Sequence, residues 1–197
     1  MNSVRYYAAL IVLVCTPPGF LLWFLIHPFA RFWRRLGAGW TYAILTVPTL
    51  AVMAGAFALR GPLLVIEFGT SYILIGLAVL CLIGTAAIGV KRRKHLTLGI
   101  LSGLPELSRD QKPGVLLTDG IYGKLRHPRY VEALLAILAY AFFANYLAAY
   151  GVFLLSLPVV CLIVVLEERE LLDRFGTEYG EYCRRVPWFV PRRRSST

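Results

Sequence analysis

Two short runs in the last third of the chain carry acidic, basic and aromatic groups that lie far apart in sequence and that a helical hairpin would bring together. Arg126-His127-Pro128-Arg129-Tyr130 stands just before an uncharged stretch, Ala133 to Leu166, and Glu167-Glu168 stands directly after it. If the stretch folds back on itself its two ends meet, because packed helices lie ~8 to 10 Å apart. Pro128 suits the first turn of a helix, where its missing N–H costs nothing, so Arg126 and His127 flank a helix N-terminus. A helix N-terminus beside Arg attracts a carboxylate, and two adjacent Glu attract a cation. The ligand such groups suit is a zwitterion. A structural salt-bridge set at a membrane surface has the same composition, and on these residues alone it is the commoner arrangement.

The elements that would position these groups are apolar helices. Of 197 residues 58% are hydrophobic and 16% charged, more apolar than a soluble domain of this length needs for its core. Charge-free runs extend from Tyr6 to Ile26, Leu36 to Leu59, Phe68 to Val90 and Ala133 to Leu166. Each is long enough to cross a hydrocarbon layer of ~30 Å. They lack the alternation of a membrane β-barrel, and an open sheet would leave backbone polar groups unpaired in lipid. The expected fold is therefore an all-α integral membrane protein. The fourth run has 34 residues, which as one straight helix would measure ~51 Å, so it must reverse, and Asn145 marks the turn. That gives about five transmembrane helices, the last two a tight hairpin, with a cytoplasmic cofactor pocket. Residues 1–90 supply three spans; residues 91–197 form the catalytic region, made of a cytoplasmic loop, the hairpin 128–166 and a C-terminal interfacial helix.

With the N-terminus outside, 19 of the 21 Lys and Arg fall on the cytoplasmic side and only Arg5 and Arg60 lie opposite. The formal charge of +10 is then a signal of topology and of attraction to anionic headgroups, and nucleic acid is not an expected partner. Cys15, Cys81, Cys161 and Cys183 form no C-x-x-C pair and read as small buried hydrophobes, with no metal expected. His27 and Glu67 stand alone at membrane edges and receive no role, and Trp23, Trp33 and Trp40 suit an aromatic belt. The 40 residues from Lys91 to Tyr130 are turn-rich and as long as a functional loop. Beyond Leu166, Phe175, Tyr179, Tyr182 and Val186 form one apolar stripe of a helix lying in the interface.

One zwitterion of the kind described is S-adenosylmethionine, whose adenine could stack on Tyr122 or Tyr130. The order of motifs points the same way. Gly120-Ile121-Tyr122, Arg126-His127-Pro128-Arg129-Tyr130, the apolar hairpin, Glu167-Glu168-Arg169-Glu170-Leu171, Phe175-Gly176, Tyr179, Tyr182 and Val186-Pro187 together resemble the isoprenylcysteine carboxyl methyltransferase and phospholipid methyltransferase superfamily, over roughly residues 114–191. The resemblance implies an S-adenosylmethionine-dependent methyltransferase with Gly120, Tyr122, Arg126, His127, Pro128, Tyr130, Glu167 and Glu168 around the cofactor. Two positions depart from it: Ile121 stands where Pro is common, and Glu132 where many members have Gly.

Methyl transfer is an in-line displacement that removes the sulfonium charge, so a dry site and good positioning favour it without a metal. The acceptor expected is lipophilic, a small molecule or a lipidated cysteine carboxylate, entering sideways from the membrane lipids. A carboxylate acceptor needs no base, whereas an amine, thiol or phenol does, with Glu132 or His127 as candidates. Glu132 and Arg126 are the expected catalytic side chains. Two other readings share these features: a membrane reductase of the sterol type, whose chains are much longer, and a non-catalytic membrane binding protein.

Overall fold

Long apolar runs have no water to satisfy their backbones, so they fold as helices, which close every hydrogen bond within the segment. The computed structural model describes residues 2–93 and 116–190, with Ala30 and Arg31 described by their backbone alone. Among these residues eight helices form: α1 (Asn2–Ile26), α2 (Ala30–Leu36), α3 (Ala38–Ala58), α4 (Arg60–Leu63), α5 (Tyr72–Arg93), α6 (Pro128–Ala144), α7 (Leu147–Phe175) and α8 (Thr177–Arg185). The middle of the expected cytoplasmic loop, 94–115, and the basic residues 192–194 lie outside the described residues.

Four of the described helices, α1, α3, α5 and α7, are long and apolar enough to cross a membrane. The stretch expected to supply a fifth span forms α6, which has 17 residues, ~26 Å of helix, and is shorter than those four. Val47, Ile73, Leu80 and Leu155 stand exposed on the outer faces of α3, α5 and α7, an apolar surface suited to lipid. Inside, Ala8, Ala9, Ala141, Ala144 and Ala149 are small enough for α1, α6 and α7 to approach closely.

The chain reverses at Asn145, as its polarity predicts. Asn145 adopts the left-handed conformation, φ 56 and ψ 47, which Asn tolerates better than most residues with a side chain. Its amide donates to the Gly69 carbonyl at 2.9 Å, and its Oδ1 accepts from the Tyr150 hydroxyl at 2.8 Å. Phe68 N–H to Asn145 O at 3.0 Å and Leu147 N–H to Ile66 O at 3.1 Å tie the turn to the segment between α4 and α5.

Arg5 closes the same end of the bundle. It is 1% exposed. Its Nε donates to the Ala144 carbonyl at 3.1 Å, and its Nη1 donates to Thr70 Oγ1 at 3.1 Å and pairs with Glu67 at 2.8 Å. A cation thus caps the carbonyl end of α6, where the helix dipole favours one. Glu67, expected to stand alone, is its partner and also accepts from the Tyr146 hydroxyl at 3.1 Å.

At the opposite end α7 runs on past the apolar stretch. Its 29 residues make ~44 Å of helix, longer than the bilayer core, so Glu167 and Glu168 lie within the helix and not at its end. Gly176, at φ 57 and ψ −127, breaks the chain into α8 with a backbone that favours glycine. There Tyr179 and Tyr182 are buried against Leu116, Leu171 and Phe175. The apolar stripe of this helix thus packs on protein. Trp33 leaves the expected belt: it is buried, and its indole donates to Leu25 O at 2.9 Å.

Candidate functional site

His127 immediately precedes α6, and Pro128 opens the helix. Backbone hydrogen bonds from Arg126 to Pro187 O at 2.9 Å and from His127 to Trp188 O at 3.2 Å fasten this approach to the segment after α8. Just upstream, residues 119–125 form a tight turn in which Tyr122 N–H bonds Asp119 O, and Lys124 and Leu125 bond Ile121 O, all at 3.0 Å. Gly120 takes φ 60, and a Cβ on Gly123 would come within 3.1 Å of Thr118 O, so the turn requires small residues at both. The Tyr182 hydroxyl donates to Tyr122 O at 2.7 Å and holds the turn on α8.

The hairpin brings Arg126, His127, Tyr130, Glu167 and Glu168 together. Glu168 is their centre: its Oε1 lies 3.0 Å from His127 Nε2 and 3.2 Å from Arg126 Nε, and accepts from the Tyr179 hydroxyl at 3.3 Å. Arg126 also lies 5.9 Å from the Trp188 ring centre. The expected division into a cationic end and an anionic end is therefore not the arrangement found, since Arg126 and His127 touch Glu168 directly. Glu167 is different. Its buried Oε2 lies 3.8 Å from His127 Nδ1 and accepts no hydrogen bond, and the carboxylate interacts with the Tyr130 hydroxyl.

Glu132 lies one turn into α6, as expected, and is ion-paired. Its Oε2 accepts from Arg92 Nε of α5 at 2.7 Å. Gly89 makes room for this carboxylate: a Cβ there would stand 2.9 Å from Glu132 Oε1. Arg129 stacks over Trp23 of α1 at 3.6 Å and donates to the Tyr130 hydroxyl at 3.4 Å, which joins α1 to the site.

Burial pushes the Tyr122 hydroxyl up to about 12, with Arg92 and Arg129 opposing the rise. Tyr179 and Tyr182 are also raised above the usual phenol range, in each case first by burial, with Glu168 adding to the rise. All three are neutral hydroxyl groups at neutral pH. Among the described residues no group of three or more His, Cys, Asp and Glu is placed to hold a metal ion.

Sequence reasoning missed Arg92, Tyr179, Tyr182 and Trp188 as members of this cluster. Arg92 sits in a basic run whose members look alike in sequence, but Glu132 was a usable signal, because a lone carboxylate in an apolar helix requires a partner.

Known proteins match this chain over part of its length. It is 37% identical over 82 residues, 42% of the chain, to the cobalt-zinc-cadmium resistance protein CzcN of Cupriavidus metallidurans, covering 38% of that protein. It is 34% identical over 91 residues, 45% of the chain, to methanethiol S-methyltransferase 1 of Bradyrhizobium diazoefficiens, covering 30% of that protein. The match thus spans well under half the length of either relative. No protein-family model matches the chain, and no solved structure does.

Proposed function

We propose that the chain is a membrane methyltransferase that uses S-adenosylmethionine. The observation that carries this reading is the convergence of Arg126, His127, Tyr130, Glu167 and Glu168 at one end of the hairpin, with Glu167 Oε2 buried and without a hydrogen-bond partner. Partial likeness to a protein named methanethiol S-methyltransferase supports the reaction class. When bound, the cofactor supplies a methyl group already activated on a cationic sulfur.

The residues present fit such a group. Glu167 offers an acceptor oxygen to an ammonium, a charge-assisted bond of the stronger kind. Tyr122 and Tyr130 offer aromatic faces, and the Gly120 turn and Pro128 shape the backbone beside them. Glu168 is engaged by Arg126, His127 and Tyr179 and holds these side chains in position. Tyr130 packs with Val160, Ile163 and Val164, an apolar wall that keeps water from the site and favours loss of charge during transfer. On the other side, the Arg92–Glu132 pair orients the acceptor, and Arg126 positions the cofactor through Glu168. The acceptor is lipophilic, a small molecule or a lipidated cysteine, and arrives from the membrane lipids. The site faces the cytoplasm, with the N-terminus outside.

Calorimetric titration of S-adenosylhomocysteine into detergent-purified protein tests this. Wild type and the remote variant Arg60→Gln are expected to bind alike, and Glu167→Gln to bind about tenfold more weakly, the loss of one charge-assisted hydrogen bond. A wild type that binds nothing ends the reading. Incubation with radiolabelled methyl donor and total membrane lipid extract then identifies the acceptor.

A further inference from the structure

Beside the candidate site, the valley between α1 and α7 has two compartments. The first has a volume of about 360 Å³ and is lined by apolar side chains, among them Pro17, Phe20 and Phe24 of α1 and Leu155, Val159 and Leu162 of α7. The second, about 420 Å³, is lined by His27, Arg34, Arg169, Glu170, Asp173 and Arg174. Leu166, which also lines the second, stands one turn beyond Leu162 on α7, and His27, just past the end of α1 with its N–H bonded to Trp23 O at 3.2 Å, follows Phe24 by three residues. Residues three or four apart share a helix face, so the compartments follow one another along a single groove, apolar below and polar above.

The polar compartment holds three guanidiniums, Arg34, Arg169 and Arg174, against two carboxylates, Glu170 and Asp173. Glu170 is already engaged, its Oε1 lying 3.1 Å from Arg34 and 3.6 Å from Arg174. His27 is 4% exposed, and both of its ring nitrogens lack a hydrogen-bond partner. Its closest carboxylate oxygen, Glu170 Oε2, is 3.8 Å from Nδ1. The Nε groups of Arg34 and Arg174 are buried and unpartnered as well. Buried donors of this kind normally find an acceptor, and Glu170 Oε2, itself buried without a hydrogen-bond partner, is one acceptor against the Nε groups of Arg34 and Arg174 and the ring N–H of His27.

We propose that this groove binds one membrane phospholipid with an anionic headgroup. One acyl chain lies in the apolar compartment, and the phosphate is held by Arg34, Arg169, Arg174 and His27. Guanidinium groups suit it because they match phosphate geometry with paired N–H donors. The proposal does not depend on the reaction assigned to the other site.

Native mass spectrometry of the detergent-purified chain tests it with dioleoyl phosphatidylglycerol, dioleoyl phosphatidylcholine and inorganic phosphate as separate additions. Wild type is expected to retain phosphatidylglycerol at about tenfold lower concentration than phosphatidylcholine, a margin of one charge-assisted contact. Arg34→Gln with Arg174→Gln removes that preference, Leu155→Trp lowers retention of both lipids, and millimolar phosphate leaves the bound lipid in place. Arg34 and Arg174 also pair with Glu170, so melting temperature is read alongside. If the double variant does not fold, the exposed Arg169→Gln, expected to reduce the preference, and Leu155→Trp decide. Equal retention of the two lipids by wild type, an unchanged preference in the folded variants, or displacement of the lipid by phosphate would each overturn the proposal.

Discussion

Glu167 and Glu168 are neighbours with different surroundings, and the difference predicts two phenotypes. Glu168 pairs with Arg126 and contacts His127, so Glu168→Ala leaves a buried guanidinium without its carboxylate, a loss of about 3 to 5 kcal/mol that a fall in melting temperature would register. Glu167 has a buried oxygen that accepts no hydrogen bond within the fold, so Glu167→Gln is expected to leave the melting temperature nearly unchanged while weakening S-adenosylhomocysteine binding. Tyr122 gives a test by pH. Its hydroxyl is raised from 10 to about 12 by burial, so the unfolded chain gives up this proton first. The stabilisation is complete below pH 10 and is lost as pH rises toward 12. Tyr122→Phe is expected to flatten that alkaline loss, followed by phenolate absorbance and circular dichroism. At this scale the residue types of the cluster were legible in sequence, because the hairpin's length and motif order placed both ends together. The pairing within it was not legible, since sequence does not say which cation reaches which carboxylate.

At the scale of elements, the α6–α7 hairpin depends on a turn residue that does three things. Asn145→Ala must place a Cβ-bearing residue in the left-handed region, at about 1 to 2 kcal/mol, and loses the side-chain bonds to Gly69 and Tyr150. A drop in melting temperature with the secondary structure retained is the expected outcome, checked by thermal denaturation in detergent. Gly89→Ala tests the seam between α5 and α6. A Cβ 2.9 Å from Glu132 must displace that carboxylate from Arg92, and the variant is expected to lose roughly as much stability as Glu132→Gln. Equal melting temperatures for Gly89→Ala and wild type would contradict the packing. The reversal was readable because a run of that length cannot cross a bilayer once. The true end of α7 was not, because hydropathy stops at Leu166 while the helix continues on charged residues, supported by pairs such as Glu170 and Arg174, four apart. The burial of α8 was hidden for a related reason: an amphipathic stripe has the same spacing whether it faces lipid or protein.

For the molecule as a whole, polar residues gather at two ends of an apolar bundle, one holding Arg5, Glu67 and Asn145 and the other Arg92, His127 and Glu168. In a background without the four native cysteines, Asn2→Cys is expected to react with an impermeant maleimide from outside the cell, and Thr177→Cys only after lysis. The reverse pattern would contradict the charge sorting. The burial of Arg5 was not legible in sequence, because a single Arg near the start of an apolar run looks the same whether it faces headgroups or protein. The Arg5 contact with Ala144 also sets a schedule for biosynthesis. The two residues are 139 apart, and a ribosome adding ~5 to 20 residues per second needs about 7 to 28 s to connect them. Glu67 and Thr70 emerge earlier, so the guanidinium first acquires a counter-ion and only later the carbonyl it caps. Until then a charged group in the hydrocarbon is unfavourable by up to ~3 kcal/mol, which holds the first helix toward the membrane surface. Nascent chains arrested before residue 140 are expected to leave position 5 open to labelling, and chains arrested well past Asn145, once the hairpin has cleared the ribosome, to protect it.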